Sequence, residues 1–259
     1  MLFVATRHNF ERKGLPVFLA CTYTEEFNER NPTEPITTSD WPNYKPIVHG
    51  SVVPESMRLP AELNVVCKGL RSFVADIFID APHIWIVSKR FLDFWIDQKL
   101  IEGQYEQAKL RILTTKGKPV TEESYFLLRI THTNDDLVNF TNSPSIPSAT
   151  KPLSKKDPLL QFYTDLKLSP DTDSLPVMIF HQRSLRWVFL CQEPIKQAME
   201  AAGFLGLEFY TLPAFAQESR IREAAYSVEE YEHYKKQVAA GNHSGPFSKL
   251  GLTGPNRLS

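Results

Sequence analysis

A short apolar hairpin followed at once by an amphipathic stretch constrains this fold more than any other feature. The apolar runs Ile77–Ile79 and Ile84–Val87 flank a turn that contains proline, an arrangement that predicts a β-hairpin. Beyond Ser88, apolar residues recur every three or four positions, which predicts a helix with one buried face. Ser88 is placed to cap this helix, because a serine hydroxyl accepts a hydrogen bond from a free amide of the first turn. We predict that the helix ends at Gly103.

The same order of elements returns later in the chain. The runs Val177–Phe180 and Trp187–Leu190 flank a polar turn, and a second amphipathic stretch follows. Cys191 takes the place of Ser88, and Gly206 takes the place of the glycine that ends the first helix, both 103 positions on. Strand–turn–helix units are common in proteins with mixed secondary structure, so the pattern suggests a duplication without establishing one.

These patterns predict an α+β (mixed α/β) fold: two strand-hairpin–helix–strand units around a mainly antiparallel or mixed sheet. A C-terminal helix is predicted from Ser227, where Glu230 completes a capping box and Tyr231 and Tyr234 lie on one face. We expect a single domain, because each half offers few helices to cover its strands. Its predicted parts are a domain of residues 1–259, a proline-rich excursion at 24–54, an internal loop at 143–158 and a C-terminal tail at 242–259.

Charge and cysteine usage exclude several classes of protein. The formal net charge is −1, with no basic stripe, so we expect no nucleic-acid partner. The three cysteines are far apart and odd in number, which favours a reducing compartment over a disulfide framework. No apolar run is long enough to span a bilayer, and the first residues lack the features of a secretion signal. We therefore predict a cytoplasmic protein with no membrane partner.

The sequence contains none of the common catalytic motifs. The phosphate-loop, dinucleotide-binding, serine-hydrolase and zincin patterns are absent, so no enzyme activity and no cofactor are predicted. The polar cluster His132, Asp135 and Asp136 follows a predicted strand and leaves one alternative open, a small metal-assisted or acid–base enzyme. A turn is the simpler interpretation, because aspartate and asparagine bond readily to their own backbone, and no second ligand-spaced cluster occurs. No metal site is predicted.

Several of these segments together resemble a family of bacterial immunity proteins, the immunity protein eleven type, encoded beside polymorphic and type VI secretion toxins. The resemblance extends from about Asp76 to Ala214 and depends on apolar strands, a serine before a helix and a glycine after it. The segments that carry it are Ile84–Ser88, Gly103, Tyr125–Ile130, Asp135 with Asp136, Ser143, and the block from Trp187 to Phe209. No catalytic residue is known to carry over from that family.

The resemblance implies a protein that neutralises a cognate toxin in interbacterial competition by occluding the toxin's active site. Such an inhibitor needs a surface of about 800 Å² with a few anchoring side chains, and loops on a rigid frame usually supply it. The sequence leaves the oligomeric state and the identity of the toxin open. The residues expected to bind the partner are Trp41, Tyr44, Glu25, Glu26, Glu29, Asp135 and Asp136.

Overall fold

The computed structural model describes residues 1–7, 13–44, 52–148, 160–224 and 228–240. Two compact units make up the chain. The first, unit 1, consists of Met1–Val138 and Leu168–Phe209, and the second, unit 2, consists of Asn139–Lys167 and Tyr210–Ser259. The single domain expected from the sequence stays a prediction, because compactness alone does not show whether a unit folds independently.

The described residues contain twelve strands and four α-helices. The strands are β1 Leu2–Arg7, β2 Cys21–Thr24, β3 Glu62–Cys67, β4 Ile77–Ala81, β5 Ile84–Ser88, β6 Tyr105–Thr114, β7 Tyr125–Ile130, β8 Ser145–Pro147, β9 Gln161–Tyr163, β10 Val177–Ile179, β11 Val188–Gln192 and β12 Leu207–Thr211. The helices are α1 Lys89–Asp97, α2 Glu193–Ala201, α3 Leu212–Ala224 and α4 Val228–Ala239. The predicted α+β class is confirmed.

The largest sheet, in unit 1, has six strands in the order β2-β3-β6-β7-β5-β4. Its strand pairs are antiparallel except β3 with β6, which run parallel. Although β2 and β4 form opposite edges, the hydroxyl of Tyr23 donates a hydrogen bond of 2.8 Å to Asp80 at the end of β4. The sheet is therefore strongly curved, and its two edges approach each other around the concave face.

Side chains that alternate between the two faces of the large sheet form two separate hydrophobic cores. On β5, Ile84 and Ile86 face the core on the concave side, whereas Trp85 and Val87 face the core on the other side. Because successive side chains of a strand point to opposite faces, a strand that is apolar throughout serves both cores. The second core, on the convex side, also contains Phe91 of α1 and residues of the smaller sheet.

A four-stranded sheet in the order β10-β11-β1-β12 completes unit 1. Its hairpin, β10 with β11, leads into α2 as the hairpin β4 with β5 leads into α1. The order β10-β11-β1-β12 matches β4-β5-β7-β6 in the larger sheet, so β1 occupies the position that β7 holds there. The two predicted hairpin–helix–strand units are present. In each sheet one further strand, β7 in the larger and β1 in the smaller, lies between the hairpin and the last strand of the unit.

The helix starts show where the sequence pattern was right and where it failed. Ser88 caps α1, and its hydroxyl accepts a hydrogen bond of 3.2 Å from the amide of Phe91. In the second unit Cys191, which takes the place of Ser88, lies fully buried within β11, and Gln192 is the residue that precedes α2. The predicted end of the first helix at Gly103 is wrong, since α1 ends at Asp97.

Unit 2 contains the antiparallel pair β8 and β9 and the helices α3 and α4. The carboxylate of Glu218 on α3 is buried, where it accepts hydrogen bonds from Arg222 and from the hydroxyl of Tyr231 on α4. The predicted C-terminal helix is therefore present as α4. Its expected cap, Ser227, lies outside the described residues, as do the tail at 242–259 and most of the internal loop at 143–158. No helix within the described ranges is long and apolar enough to cross a membrane.

Candidate functional site

One end of the concave core in unit 1 is polar. There, Asp80 accepts a hydrogen bond from Tyr23, and the thiol of Cys21 lies 3.7 Å from the same carboxylate oxygen. Burial raises the pKa of the Asp80 carboxyl above its ordinary value, and the two hydrogen bonds oppose that effect. The polar end of the core thus holds a half-buried carboxylate that accepts hydrogen bonds from a phenol and a thiol.

A buried ion pair lies at the same end of the core. Glu106 on β6 and Arg129 on β7 are directly opposite each other, and the guanidinium bonds the carboxylate through Nε at 2.9 Å and through a second nitrogen. Arg129 is only 1% exposed and also donates to the carbonyl oxygens of Trp41 and Met57, at 2.8 and 2.6 Å. Its guanidinium stacks 4.5 Å above the centre of the Tyr44 ring. One buried cation therefore joins the sheet to two loop segments.

The proline-rich excursion forms an ordered loop from Glu25 to Tyr44. The Glu25 carboxylate accepts hydrogen bonds from the backbone and side chain of Thr38 and from the indole of Trp41. Burial opposes ionisation of Glu25, but the hydrogen bonds from Thr38 and Trp41 outweigh it and lower the pKa of this carboxyl. Trp41 and Tyr44 are 5% and 4% exposed. These contacts fix the loop over the polar end of the sheet.

A cavity of about 620 Å³ lies between this loop, β2 and the β4–β5 turn. Its lining includes Cys21, Tyr23, Asp40, Trp41, His83 and Arg129. Burial and the nearby Arg129 charge lower the pKa of His83 to about 4, so its imidazole is neutral at physiological pH. Within the described residues, no group of three histidine, cysteine or acidic side chains is arranged to hold a metal ion.

The predicted partner-binding residues of the loop divide into two kinds. Glu26 and Glu29 are exposed, whereas Glu25 turns inward and Trp41 and Tyr44 are buried. The buried residues order the loop, and the exposed ones are available to a partner. Binding by any of these residues stays a prediction.

The polar cluster after β7 forms a turn. The Asp135 carboxylate accepts hydrogen bonds from the backbone amides of His181 and Gln182, at 2.7 and 2.8 Å. Asp136 is exposed. Nδ1 of His132 lies 3.0 Å from the hydroxyl oxygen of the adjacent residue, Thr131. The two amide hydrogen bonds thus hold Asp135 in the turn that the sequence favours, rather than beside a catalytic partner.

Sequence reasoning missed the residues that define the polar end of the core. Glu106, Arg129, Asp80, Tyr23 and Cys21 come from four strands, and no spacing in the sequence connects them. One signal was present: Arg129 stands inside the apolar segment Tyr125–Ile130, and a charge at such a position requires a buried partner.

Comparison with known families gives one assignment. A family model described as Immunity protein 43 matches residues 7–219, which cover most of the chain, all of unit 1 beyond its first six residues and part of unit 2. No curated protein matches the sequence.

Proposed function

Because the chain belongs to the Immunity protein 43 family, we propose that it binds a cognate bacterial toxin and occludes the toxin's active site without any enzymatic activity of its own. The resemblance to a toxin-immunity family is confirmed at that level, while the eleven type is not supported. A secreted toxin of the type VI or polymorphic kind, and action in the cytoplasm, are parts of the proposal.

The observation that carries the proposal is the ordered acidic loop. Between Glu25 and Asp40 the sequence has five acidic residues and one arginine, in a chain whose formal net charge is −1. Four of the acidic residues are exposed: Glu26, Glu29, Glu34 and Asp40. Negative potential is therefore concentrated on one loop of a protein that is otherwise close to neutral.

The loop is also held in place before a partner arrives. The Glu25 carboxylate at the start of the loop accepts a hydrogen bond from the indole of Trp41 near its end. The carbonyl of Trp41 in turn accepts a hydrogen bond from Arg129 on the sheet. Ordering a loop in advance reduces the entropy lost on binding, so more of the interaction energy is available for affinity. Concentrated surface charge, for its part, accelerates association with a partner of opposite charge and makes the rate sensitive to salt.

The proposal is tested by co-expression with the cognate toxin, sought among the genes adjacent to this one. The wild-type chain should restore growth and co-purify with the toxin. Reversing two exposed loop charges, Glu26→Lys with Glu29→Lys, should weaken binding by at least about tenfold at low salt, since opposite charges across an interface become like charges. The matched control is Glu102→Lys with Glu122→Lys, which reverses two exposed charges elsewhere in unit 1.

The outcomes separate the parts of the proposal. Absence of growth rescue and of a complex with the wild-type chain would remove the toxin-binding function. Equal weakening by the loop variant and the control variant would retain the function but reject the loop as the contact surface. A complex that leaves the toxin fully active would reject occlusion of the active site.

A further inference from the structure

We propose that Cys21 and Cys67 form a covalent modification site, at which a small-molecule disulfide oxidises the two thiols to a disulfide between β2 and β3. The two cysteines are free in the structure and far apart in the sequence, so no motif connects them. This site is independent of the toxin-binding proposal.

The strand register places the two cysteines directly opposite each other. In the antiparallel pair of β2 and β3, Cys21 is the partner of Cys67. The amide of Lys68 donates to the carbonyl of Ala20 at 2.8 Å, so the adjacent pair is the hydrogen-bonded one. Cys21 and Cys67 are therefore a non-hydrogen-bonded pair, the kind in which the Cα atoms are only about 4.5 Å apart and the side chains are closest.

That spacing satisfies the main requirement of a disulfide. Disulfide-linked residues have Cα atoms roughly 4.4–6.8 Å apart, and a bridge across greater distances requires backbone movement. Both side chains also project to the same face, because directly opposite residues share a face of the sheet, and both contact the concave core. The backbone of β2 and β3 can thus accept the bond without rearranging.

The two thiols differ in access, which sets the order of the reaction. Cys21 is partly exposed and lines the 620 Å³ cavity, whereas Cys67 is buried beside it. An oxidant that enters the cavity therefore reaches Cys21 first. The third cysteine, Cys191, is 0% exposed and lies in the other core, so the chain carries its own internal control.

The chemistry consists of two thiol–disulfide exchanges. Cys21 loses its proton, for which the nearby Asp80 carboxylate is an acceptor, and its sulfur attacks the small disulfide, which releases one small thiol. Cys67 then loses its proton and attacks the Cys21 sulfur, and a second small thiol leaves. Two protein thiols are oxidised and one small disulfide is reduced to two thiols, so atoms and electrons balance.

The environment makes this reaction slow at neutral pH. Burial, and after it the charge of Asp80, raise the pKa of Cys21, and the same two causes raise the pKa of Cys67 to about 12. Because the thiolate is the attacking species, the rate should increase about tenfold for each pH unit well below these values. The pair stays reduced unless the oxidising conditions persist.

A disulfide between Cys21 and Cys67 would strengthen the attachment of the loop that follows β2. The four-residue strand β2 is an edge strand, and the ordered acidic loop starts directly after Thr24. A covalent bond to β3 prevents β2 from separating from the sheet, so the loop keeps its attachment. Two amides report on this attachment: that of Glu25 donates to the carbonyl of Ile36 within the loop, and that of Ile36 donates to the hydroxyl of Thr24 on β2. Their hydrogen exchange should slow in the oxidised protein.

The experiment exposes the purified full chain to oxidised glutathione at pH 7, 8 and 9, then blocks the remaining thiols with iodoacetamide in urea and maps the peptides by mass. The expected result is a Cys21–Cys67 peptide pair with Cys191 alkylated, formed faster at higher pH. Cys191→Ser should behave as wild type, and Cys67→Ser should stop at a glutathione adduct on Cys21. Three alkylated cysteines after prolonged treatment at pH 9, or only an adduct in the wild-type chain, would overturn the proposal.

A second measurement does not depend on the rate at which the folded protein is oxidised. The chain is refolded from urea in a glutathione redox buffer, so that every pairing of the three cysteines is sampled before the fold forms. The native register should then enrich the Cys21–Cys67 pair at least about tenfold over the pairs that involve Cys191. Equal amounts of the three pairings in the refolded protein would show that the strand register does not favour the bond.

Discussion

Replacement of Arg129 by methionine tests whether one buried cation holds the proposed binding loop on the sheet. The side chain is 1% exposed, and its partner Glu106 is 23% exposed. Methionine preserves much of the side-chain volume but removes all donors. The change leaves the Glu106 carboxylate without its cation and removes the guanidinium donors from the carbonyls of Met57 and Trp41. The Trp41 carbonyl keeps its hydrogen bond from the amide of Tyr44.

The expected loss of stability follows from these contacts. Removing one member of a buried ion pair costs about 3–5 kcal/mol, because the remaining charge is uncompensated. Each buried carbonyl that loses its donor adds about 1–3 kcal/mol, but water in the adjacent cavity can replace part of that loss. Glu106 is partly exposed, so water also compensates part of the ion-pair loss. We therefore expect a total of about 4 kcal/mol, below the sum of the full penalties but still a large fraction of the stability of an ordinary domain.

Urea unfolding followed by tryptophan fluorescence measures this loss, with Arg111→Met on the exposed face of β6 as the matched control. The control should lie within about 0.5 kcal/mol of wild type. Glu106→Gln should cost less than Arg129→Met, since the guanidinium keeps both carbonyl acceptors. If the stability of Arg129→Met lies within about 1 kcal/mol of the control, the buried cation does not anchor the loop.

Three further changes have defined outcomes. Gly206→Ala should destabilise by about 2–4 kcal/mol in urea unfolding, because φ is +104° and the added Cβ would lie 2.4 Å from the carbonyl oxygen of Ile77. The control Gly103→Ala, where φ is +75° and the space around the residue is open, should cost only about 1 kcal/mol. Ser88→Ala should cost about 1–2 kcal/mol in the same assay, because it removes the hydroxyl that caps α1, and a smaller loss would contradict that role. Burial, and after it nearby positive charge, lower the pKa of His83 to about 4, so the unfolded chain binds this proton first as the pH falls. The contribution of His83 to stability is present above about pH 6.5 and should decrease by about 3 kcal/mol towards pH 4, whereas His83→Gln should lose that dependence.

Elements with a strong local pattern were predicted well from the sequence. The hairpin β4–β5 and the helix α1 depend on apolar periodicity and on the Ser88 cap, which are local properties. The strand β3, Glu62–Cys67, was not predicted: it contains the polar Asn64, and its parallel neighbour β6 comes from a distant part of the sequence. In the second unit the strand continues one residue further, so Cys191 stays within β11 and Gln192 precedes α2, a difference that packing decides.

The candidate site could be predicted only in part. The acidic loop was evident from composition, and its exposed residues Glu26 and Glu29 follow from simple polarity. That Glu25 turns inward depends on donors from Thr38 and Trp41, which no periodicity reveals. The Cys21–Cys67 pair requires the register of β2 on β3, because sequence spacing contains no information about which residues stand opposite.

The interior position of β1 in the four-stranded sheet has a consequence for synthesis on the ribosome. This strand is synthesised long before its two neighbours in the sheet, β11 and β12, and Phe3 lies opposite Cys191. Until β11 and β12 are synthesised, the nascent chain therefore carries an unpaired apolar segment, Leu2–Ala5, that must avoid other partners. This sheet is complete only once β12 has been made, so a product truncated before β11 leaves β1 unpaired and prone to aggregation.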